Sequence, residues 1–340
     1  MSHRKCVLVG SIPSPDAESA MTTALALVGA HLRSLPDGET GARSEWVANA
    51  IDSLKDHPDL VLKRDGGWMS YEDRPEFAVR RGHTLTGESL DLGYLTAYRE
   101  SRPVFDALAT SHDFTFQVGI ASPFDMAMFA LGPRGALTNR RPFVEATSRD
   151  IVAIQAESGG DVLFQIELPA ELVFVARTPR LFQARVAAWM ARITTEVVEL
   201  APAGSRFGVH LCLGDLGHKA LALAKDATPV VTLANAIASR WPTGKTLEYV
   251  HAPLAAGEEP PSTDPGFYAP LAKLRLPSAT PFAAGFVHEG RTPAELVQIL
   301  GMIEAAAPNS VDVAAACGLG RRDPQTAEKI MRLSAELCEA

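Results

Sequence analysis

The 340-residue sequence has little of what marks several large classes of protein. Four cysteines are too few for the disulfide framework of a small secreted scaffold. Lysine and arginine together number 32 against 40 acidic residues, so the basic excess of a nucleic-acid binder is missing. No apolar run approaches the roughly 18–20 residues that span a bilayer. We therefore expect a globular protein that binds neither nucleic acid nor membrane.

The beginning of the sequence gives no sign of an export signal. Residues 1–5 are basic, but the apolar stretch Cys6–Val9 is short, and Pro13 follows soon after it. The expected location is therefore the cytoplasm, where cysteines are reduced thiols or metal ligands. We expect Cys6 and Cys338 to be structural, since neither has chemically useful neighbours in the sequence.

Short apolar, β-branched runs alternate with longer amphipathic stretches along the chain, which is typical of repeated βα units. Helix starts are well marked, because Thr292 and Asp323 each precede a proline that fits a first helical turn. Eight strands followed by helices predict an α/β protein with one (β/α)8 TIM barrel over residues 1–340. The predicted strands are Cys6–Val9, His31–Leu35, Phe114–Ile120, Val162–Ile166, Phe207–Cys212, Thr246–Val250, Phe282–Val287 and Val311–Ala316.

Two irregular stretches interrupt this pattern, at 65–94 and 257–276. As insertions between a strand and its helix they would build the active face of a barrel, and the first could be a lid. The alternative is that both are simple surface loops. Neither a Walker sequence nor a G-x-G-x-x-G motif follows a strand, so the sequence gives no support for nucleotide binding.

A histidine and a cysteine stand two residues apart at the end of one predicted strand. His210 and Cys212 would point to the same side of that strand, at the carboxyl end where barrel enzymes keep their chemistry. The alternative for Cys212 is packing in the core as a small apolar residue.

Two further residues favour a metal site. Glu248 is a carboxylate inside an apolar strand, where it needs a partner or a metal, and Cys317 follows the apolar run Val311–Ala316. With His210 and Cys212 these residues make a tetrahedral zinc set, and the two sulfurs argue against magnesium or calcium. Four protein ligands leave no open position, so we expect Glu248 to be displaced when a substrate thiol binds.

The spacing of these residues resembles the catalytic barrel of cobalamin-independent methionine synthase. The resemblance rests on His210-x-Cys212, then Glu248, then Cys317-Gly318-Leu319-x-x-Arg322. It implies a TIM barrel, related also to uroporphyrinogen decarboxylase, with Zn²⁺ held by His210, Cys212, Glu248 and Cys317. In chain order, Val9–Pro13 resembles the family's Ile-Gly-Ser-Phe-Pro, Asp37–Glu39 its His-Gly-Glu, Ser122–Met126 its Gly-Pro-Val-Thr-Met, Gln165–Ala170 its Gln-Ile-Asp-Glu-Pro-Ala, and Phe286–Glu289 its Tyr-Asp-Ile-His.

The resemblance also implies roles for residues that do not bind the metal. Ser11 would bind the carboxylate of an amino-acid thiol such as homocysteine, and Glu39 and Glu167 would hold its ammonium group. His288 would donate or accept a proton near the transferred group. No motif supports His218 or His251, so we do not place them in the predicted site.

Zinc chemistry gives these residues a common purpose. Thiols are mostly protonated at neutral pH, and bound zinc keeps a substrate sulfur as a nucleophilic thiolate. The sequence therefore predicts a zinc-dependent methyl- or alkyltransferase that uses a small thiol, with a folate or a corrinoid as methyl donor. The alternatives are a zinc-thiolate lyase or demethylase, a thiol alkyltransferase, a barrel with a vestigial zinc site, and a non-catalytic zinc- or corrinoid-binding module. The oligomeric state stays open.

Overall fold

The computed structural model of the chain describes residues 4–108 and 114–340, except the side chains of Ala42 and Trp46. The strands of the described chain are β1 (Cys6–Val7), β2 (Leu35–Pro36), β3 (Leu60–Arg64), β4 (Glu76–Val79), β5 (Phe116–Ala121), β6 (Val162–Leu168), β7 (Arg206–Leu211), β8 (Thr246–Pro253), β9 (Phe282–Val287) and β10 (Val311–Ala315). Eight of them form one parallel sheet, with neighbours in the order β1, β10, β9, β8, β7, β6, β5, β2.

Main-chain contacts between β1 and the segment that leads into β2 close this sheet into a ring. Cys6 in β1 forms a parallel bridge with Leu32, and the Arg33 amide donates to the Cys6 carbonyl at 3.0 Å. The sheet strands then follow one another around the ring in chain order, with helices between most of them. The predicted TIM barrel is confirmed.

The helices that cover the barrel follow its strands. In the described residues they are α1 (Ala17–Val28), α2 (Trp46–Asp52), α3 (Tyr94–Leu108), α4 (Pro123–Glu157), α5 (Pro169–Arg177), α6 (Arg180–Leu200), α7 (Thr228–Ser239), α8 (Pro265–Tyr268), α9 (Pro293–Ala306) and α10 (Pro324–Glu339). Thr292 caps α9, as its sequence predicts, and the structure adds a capping box with Glu295. Non-helical backbone at Gly132 and Asn139 interrupts the long α4 segment. No helix in the described residues has the length and apolar character needed to cross a membrane.

The structure differs from the sequence prediction in its second strand and in the first insertion. Arg33 donates to Asp312 of β10 at 2.7 Å, so the chain near residues 32–33 stays beside β1 and β10, and β2 begins only at Leu35. The insertion at 65–94 is not wholly irregular, because it contains β4, which pairs in an antiparallel hairpin with β3 just before it.

A polar layer crosses the barrel interior below the strand ends. The Tyr249 hydroxyl donates to Gln165 Oε1 at 2.9 Å, and Gln117 Nε2 donates to the carbonyls of Leu8 and Val9, both at 2.9 Å. Gly208 makes room for Tyr249, because a Cβ at this glycine would lie 2.2 Å from the ring carbon Cζ. These bonds tie four strands or their extensions together beneath the carboxyl-terminal face.

Candidate metal centre and substrate cavity

His210, Cys212 and Cys317 meet at the carboxyl ends of two strands. His210 lies in β7, Cys212 directly follows β7, and Cys317 follows β10. Their potential ligand atoms all lie within 4.8 Å of one another. The two sulfurs are 3.7 Å apart, and Cys317 Sγ is 3.8 Å from His210 Nε2. The structure thus brings together three of the four predicted metal ligands.

The spacing of these atoms fits a tetrahedral zinc ion. With Zn–S bonds of about 2.3 Å and Zn–N bonds of about 2.0 Å, tetrahedral geometry separates two sulfurs by about 3.8 Å and sulfur from nitrogen by about 3.5 Å. The corresponding distances here are 3.7 and 3.8 Å. Two thiols with one imidazole form a donor set suited to zinc, whereas magnesium and calcium prefer oxygen.

Glu248, the fourth predicted ligand, lies elsewhere. Its Oε1 accepts a hydrogen bond from Arg206 Nε at 2.6 Å, and Arg206 is the first residue of β7. His210 is four residues further along this strand, or about 13 Å at about 3.3 Å per residue. The structure therefore corrects the prediction for Glu248: the partner that its charge requires is Arg206, at the opposite end of the barrel from the cysteines.

His251 contacts the cluster although no sequence motif pointed to it. Its Nδ1 lies 2.7 Å from Nδ1 of His210, and its Nε2 lies 2.9 Å from the Ala315 carbonyl oxygen. A carbonyl only accepts, so Nε2 of His251 carries a proton, and Nδ1 of the neutral ring accepts from His210. Burial lowers the pKa of His251 to about 4, which keeps the ring neutral at pH 7. Nε2 of His210 is therefore unprotonated, and its lone pair is available beside Cys317.

The pKa shifts of the cluster favour its uncharged forms in the absence of a cation. The hydrogen bond with Cys212, together with burial, raises the pKa of Cys317 well above its usual value. Burial and the adjacent His251 lower the pKa of His210 well below its usual value. A divalent cation reverses the effect on Cys317, because coordination to the metal stabilises the charged thiolate.

A cavity of about 150 Å³ opens beside the cluster. The predicted residues Ser11, Glu39 and Glu167 line it together with Cys212 and Cys317. A larger cavity of about 690 Å³ lies elsewhere and is lined by none of these five residues. The smaller cavity is the candidate substrate site, since it joins the cluster to the residues expected to bind an amino acid.

Aromatic residues that the sequence analysis did not place in the site form one wall of this cavity. Trp68 and Tyr71 come from the insertion before β4, and Phe129 comes from α4. The rings of Tyr71 and Phe129 stack with centroids 6.3 Å apart, and Tyr71 Oη accepts from the Leu216 amide at 3.0 Å. The insertion therefore covers the cavity beside the cluster. The one available signal was its density of aromatic residues.

Glu39 and Glu167 face each other across Gly119. A Cβ at this glycine would lie 2.9 Å from Glu39 Oε1 and 3.4 Å from Glu167 Oε1. Burial and the charge of Glu167 raise the pKa of Glu39 well above its usual value. Burial and the neighbouring Cys212 raise the pKa of Glu167 to about 8. Two carboxyl groups whose charged forms are destabilised in this way can be satisfied by a cation between them.

The turn that carries Glu39 is fixed by its neighbours. Asp37 Oδ1 accepts from the Glu39 amide at 3.0 Å, and the Gly38 carbonyl accepts from the Ile12 amide at 2.8 Å. Gly38 has a φ of 83°, and a Cβ there would lie 2.4 Å from that of Ala20, so only glycine fits. The turn holds Glu39 against the loop after β1.

Ser11 packs against the loop that carries Cys317. Its Oγ accepts from the Gly320 amide at 3.2 Å, and its carbonyl accepts from the Leu319 amide at 2.7 Å. A Cβ at Gly318 would lie only 2.1 Å from Ser11 Oγ. Ser11 thus lines the cavity and also positions the backbone after Cys317.

His288, the predicted catalytic residue, is buried and does not line this cavity. Its Nε2 donates to the Gly257 carbonyl at 2.9 Å, and its Nδ1 accepts from the Gly290 amide at 2.9 Å. Both ring nitrogens are therefore bonded to the main chain. In this conformation His288 has no free nitrogen with which to exchange a proton.

A second group of metal-ligating side chains lies near His288. Ligand atoms of His218, His288 and Glu289 lie within 4.8 Å of one another. Arg322 Nε, however, lies 3.0 and 3.1 Å from the two oxygens of Glu289. Because Arg322 and the main chain already satisfy Glu289 and His288, we do not treat this group as a metal site.

The fold is similar to that of solved cobalamin-independent methionine synthases. A B12-independent methionine synthase from a Shewanella species, solved with selenomethionine, is 13% identical with a TM-score of 0.65, and the match covers 99% of this chain and 97% of that one. A putative enzyme of the same kind from Listeria monocytogenes is 11% identical (TM-score 0.51, covering 98% and 96%). A methyltransferase from Methanosarcina mazei is also 11% identical (TM-score 0.54, covering 100% and 95%).

No family model and no curated protein matches the chain. The structural comparisons confirm the fold implied by the sequence resemblance. At 11–13% identity they establish that fold and leave the activity to be argued from the site.

Proposed function

We propose that the chain is a zinc-dependent enzyme that transfers a methyl or alkyl group to a homocysteine-like thiol. One observation carries the proposal: the cluster of His210, Cys212 and Cys317 adjoins a cavity that contains the carboxyl pair Glu39 and Glu167. The cluster suits a metal that binds sulfur, and the pair suits an ammonium group. One small substrate with a thiol at one end and an amine at the other would contact both groups.

Zinc bound by His210, Cys212 and Cys317 would supply a Lewis acid that holds the substrate sulfur as a thiolate. Catalytic zinc sites keep three protein ligands and one exchangeable position. The cluster here supplies three ligands. The loss of Glu248 from the predicted set therefore removes the need for a displaced ligand.

The remaining side chains would bind and orient the substrate. Glu39 and Glu167 would lose their protons and pair with the ammonium group, and Ser11 would hydrogen-bond to the carboxylate. The aromatic wall of Trp68, Tyr71 and Phe129 would limit the access of water to the sulfur. In the overall reaction a sulfur–carbon bond forms, the bond from carbon to the donor breaks, and the thiol proton leaves.

The methyl donor is proposed only as a class, a corrinoid or a folate. Support for methyl transfer comes from the likeness of the fold to methionine synthases and to a methyltransferase. In particular, the Shewanella enzyme was solved with selenomethionine, an amino acid methylated on a chalcogen atom.

The test is an assay for methionine by mass spectrometry. Zinc-loaded protein is incubated with homocysteine and either methylcobalamin or methyltetrahydrofolate. We expect methionine from at least one donor, loss of product in C317S, and retention in E248Q, whose side chain lies at the other end of the barrel. No product from either donor with zinc bound would overturn the proposal.

A further inference from the structure

Arg321 places a positive charge in the substrate cavity. It lies four residues after Cys317, in the loop between β10 and α10, and it lines the same cavity as Glu39 and Glu167. The adjacent Arg322 behaves differently, since its guanidinium pairs with Glu289 at 3.0 Å. Among the residues that the structure describes, no carboxylate lies within 4.0 Å of the Arg321 guanidinium. Arg321 is thus a cation that the described side chains leave without an ion pair.

The field of Arg321 reaches the acids of the cavity without direct contact. Its charge lowers the pKa of Glu39, Glu167 and Asp215, although burial raises all three above their usual values. Because Arg321 is near Cys317 in the chain and the two glutamates face each other across Gly119, the cavity presents separate positive and negative groups. A ligand that carries both charges matches this arrangement.

Arg321 is the only basic residue among the described residues that line the cavity. Ser11 is the residue expected to bind a carboxylate, but it is neutral and its hydroxyl can donate only one hydrogen bond. A guanidinium presents several donors in a planar fork that matches a carboxylate. Arg321 is therefore the group best suited to compensate the charge of that carboxylate.

We infer that Arg321 binds the carboxylate of the thiol substrate and makes the site selective for α-amino-acid thiols. This inference rests on the proposed function and goes beyond it, because it assigns the residue that distinguishes an amino-acid thiol from a simple aminothiol. Three groups of the substrate would then be recognised at once: the sulfur by the metal centre, the ammonium by Glu39 and Glu167, and the carboxylate by Arg321.

The experiment measures the binding of three thiols to zinc-loaded protein by calorimetry. Homocysteine carries both charged groups, 4-mercaptobutanoate lacks the amine, and 3-aminopropane-1-thiol lacks the carboxylate. We expect R321Q to weaken the first and second by about 10- to 100-fold, since hydrogen bonds to charged groups contribute about 1.5–3 kcal/mol. Binding of the aminothiol should change less than about twofold, and R321K should recover part of the loss because it keeps the charge without the fork.

Controls separate the role of Arg321 from general effects. R141Q removes an exposed arginine that does not line the cavity and should bind all three thiols like the wild type. Zinc content and thermal unfolding of each variant show whether it is folded and loaded. Equal losses for all three thiols in R321Q, or no loss for any, would overturn the inference and leave the proposed function standing. Failure of the wild type to bind any thiol would overturn both.

Discussion

His251 holds His210, the histidine of the cluster, in one tautomer through a contact of 2.7 Å between their Nδ1 atoms. The other ring nitrogen of His251, Nε2, donates to the carbonyl of Ala315 at 2.9 Å, and Ala315 is two residues before Cys317 in the chain. One chain of hydrogen bonds thereby connects three strands that support the cluster, the adjacent strands β7 and β8 and, beyond β9, β10. Such partners orient a ligand and set its affinity for the metal.

Replacing His251 with alanine should therefore weaken zinc binding although His210, Cys212 and Cys317 all remain. We expect affinity to fall about 10- to 100-fold, the usual effect of losing a partner of a metal-bound histidine. Competition with a chromophoric chelator measures this affinity. H288Q is the matched control, since His288 is also buried and bonds to the main chain without contacting the cluster. Equal affinity in H251A and wild type would contradict the role given to His251.

The identity of the metal ligands gives a second prediction. C212S and C317S should each lose stoichiometric zinc, because a neutral hydroxyl is a poor ligand for zinc compared with a thiolate. E248Q should keep zinc, because Glu248 pairs with Arg206 at the amino end of β7. Metal analysis of the purified proteins decides between the predicted set of four ligands, which includes Glu248, and the set of three that the structure brings together. Loss of zinc in E248Q with the fold intact would restore Glu248 as a ligand.

The sequence was sufficient for those parts of the site that depend on strand periodicity. His210 and Cys212 are two residues apart, and Cys317 ends another strand, so the barrel rule brings them to one face. It failed for Glu248 because β8 runs to Pro253, three residues beyond the predicted end. The true carboxyl end of that strand carries His251, which the shorter predicted strand excluded.

The cavity wall could not be predicted for a different reason. Tyr71 reaches the site through an insertion whose path depends on tertiary contacts, such as the 3.0 Å bond between Tyr71 Oη and the Leu216 amide. Periodicity carries no information about such a path. The sequence resemblance included Arg322 and passed over Arg321, whereas the structure pairs Arg322 with Glu289 and places Arg321 in the lining of the cavity.

The contact between Gly318 and Ser11 gives a third prediction. G318A places a Cβ 2.1 Å from Ser11 Oγ, so the loop after Cys317 must shift. We expect a loss of about 1–3 kcal/mol in the free energy of unfolding, as for other overpacked sites, together with weaker zinc binding. The double variant S11A/G318A removes the clashing hydroxyl and should recover part of both losses. A double variant no better than G318A would show that Ser11 is not the obstacle. Urea unfolding and chelator competition provide the two measurements.

Glu171 in α5 gives a prediction for the pH dependence of stability. Its Oε1 accepts from the Ser122 hydroxyl, while its buried Oε2 has no hydrogen-bond partner among the described residues. Burial raises its pKa to about 7, from an ordinary value of 4.5. The folded protein therefore binds a proton more tightly than the unfolded chain does. The stability from this group is fully present below about pH 4.5 and is lost as the pH rises through about 7.

E171Q removes this titration and should flatten the corresponding part of the pH profile. Between pH 4.5 and 7.5 the free energy of unfolding of E171Q should rise relative to that of the wild type by about 3 kcal/mol. Urea unfolding of both proteins across this range measures the difference, and it cancels the titration of groups that the two share. E336Q, at an exposed glutamate of α10, should follow the wild-type profile. If E171Q also runs parallel to the wild type, Glu171 is ionised in the folded protein throughout this range, and burial does not hold its proton.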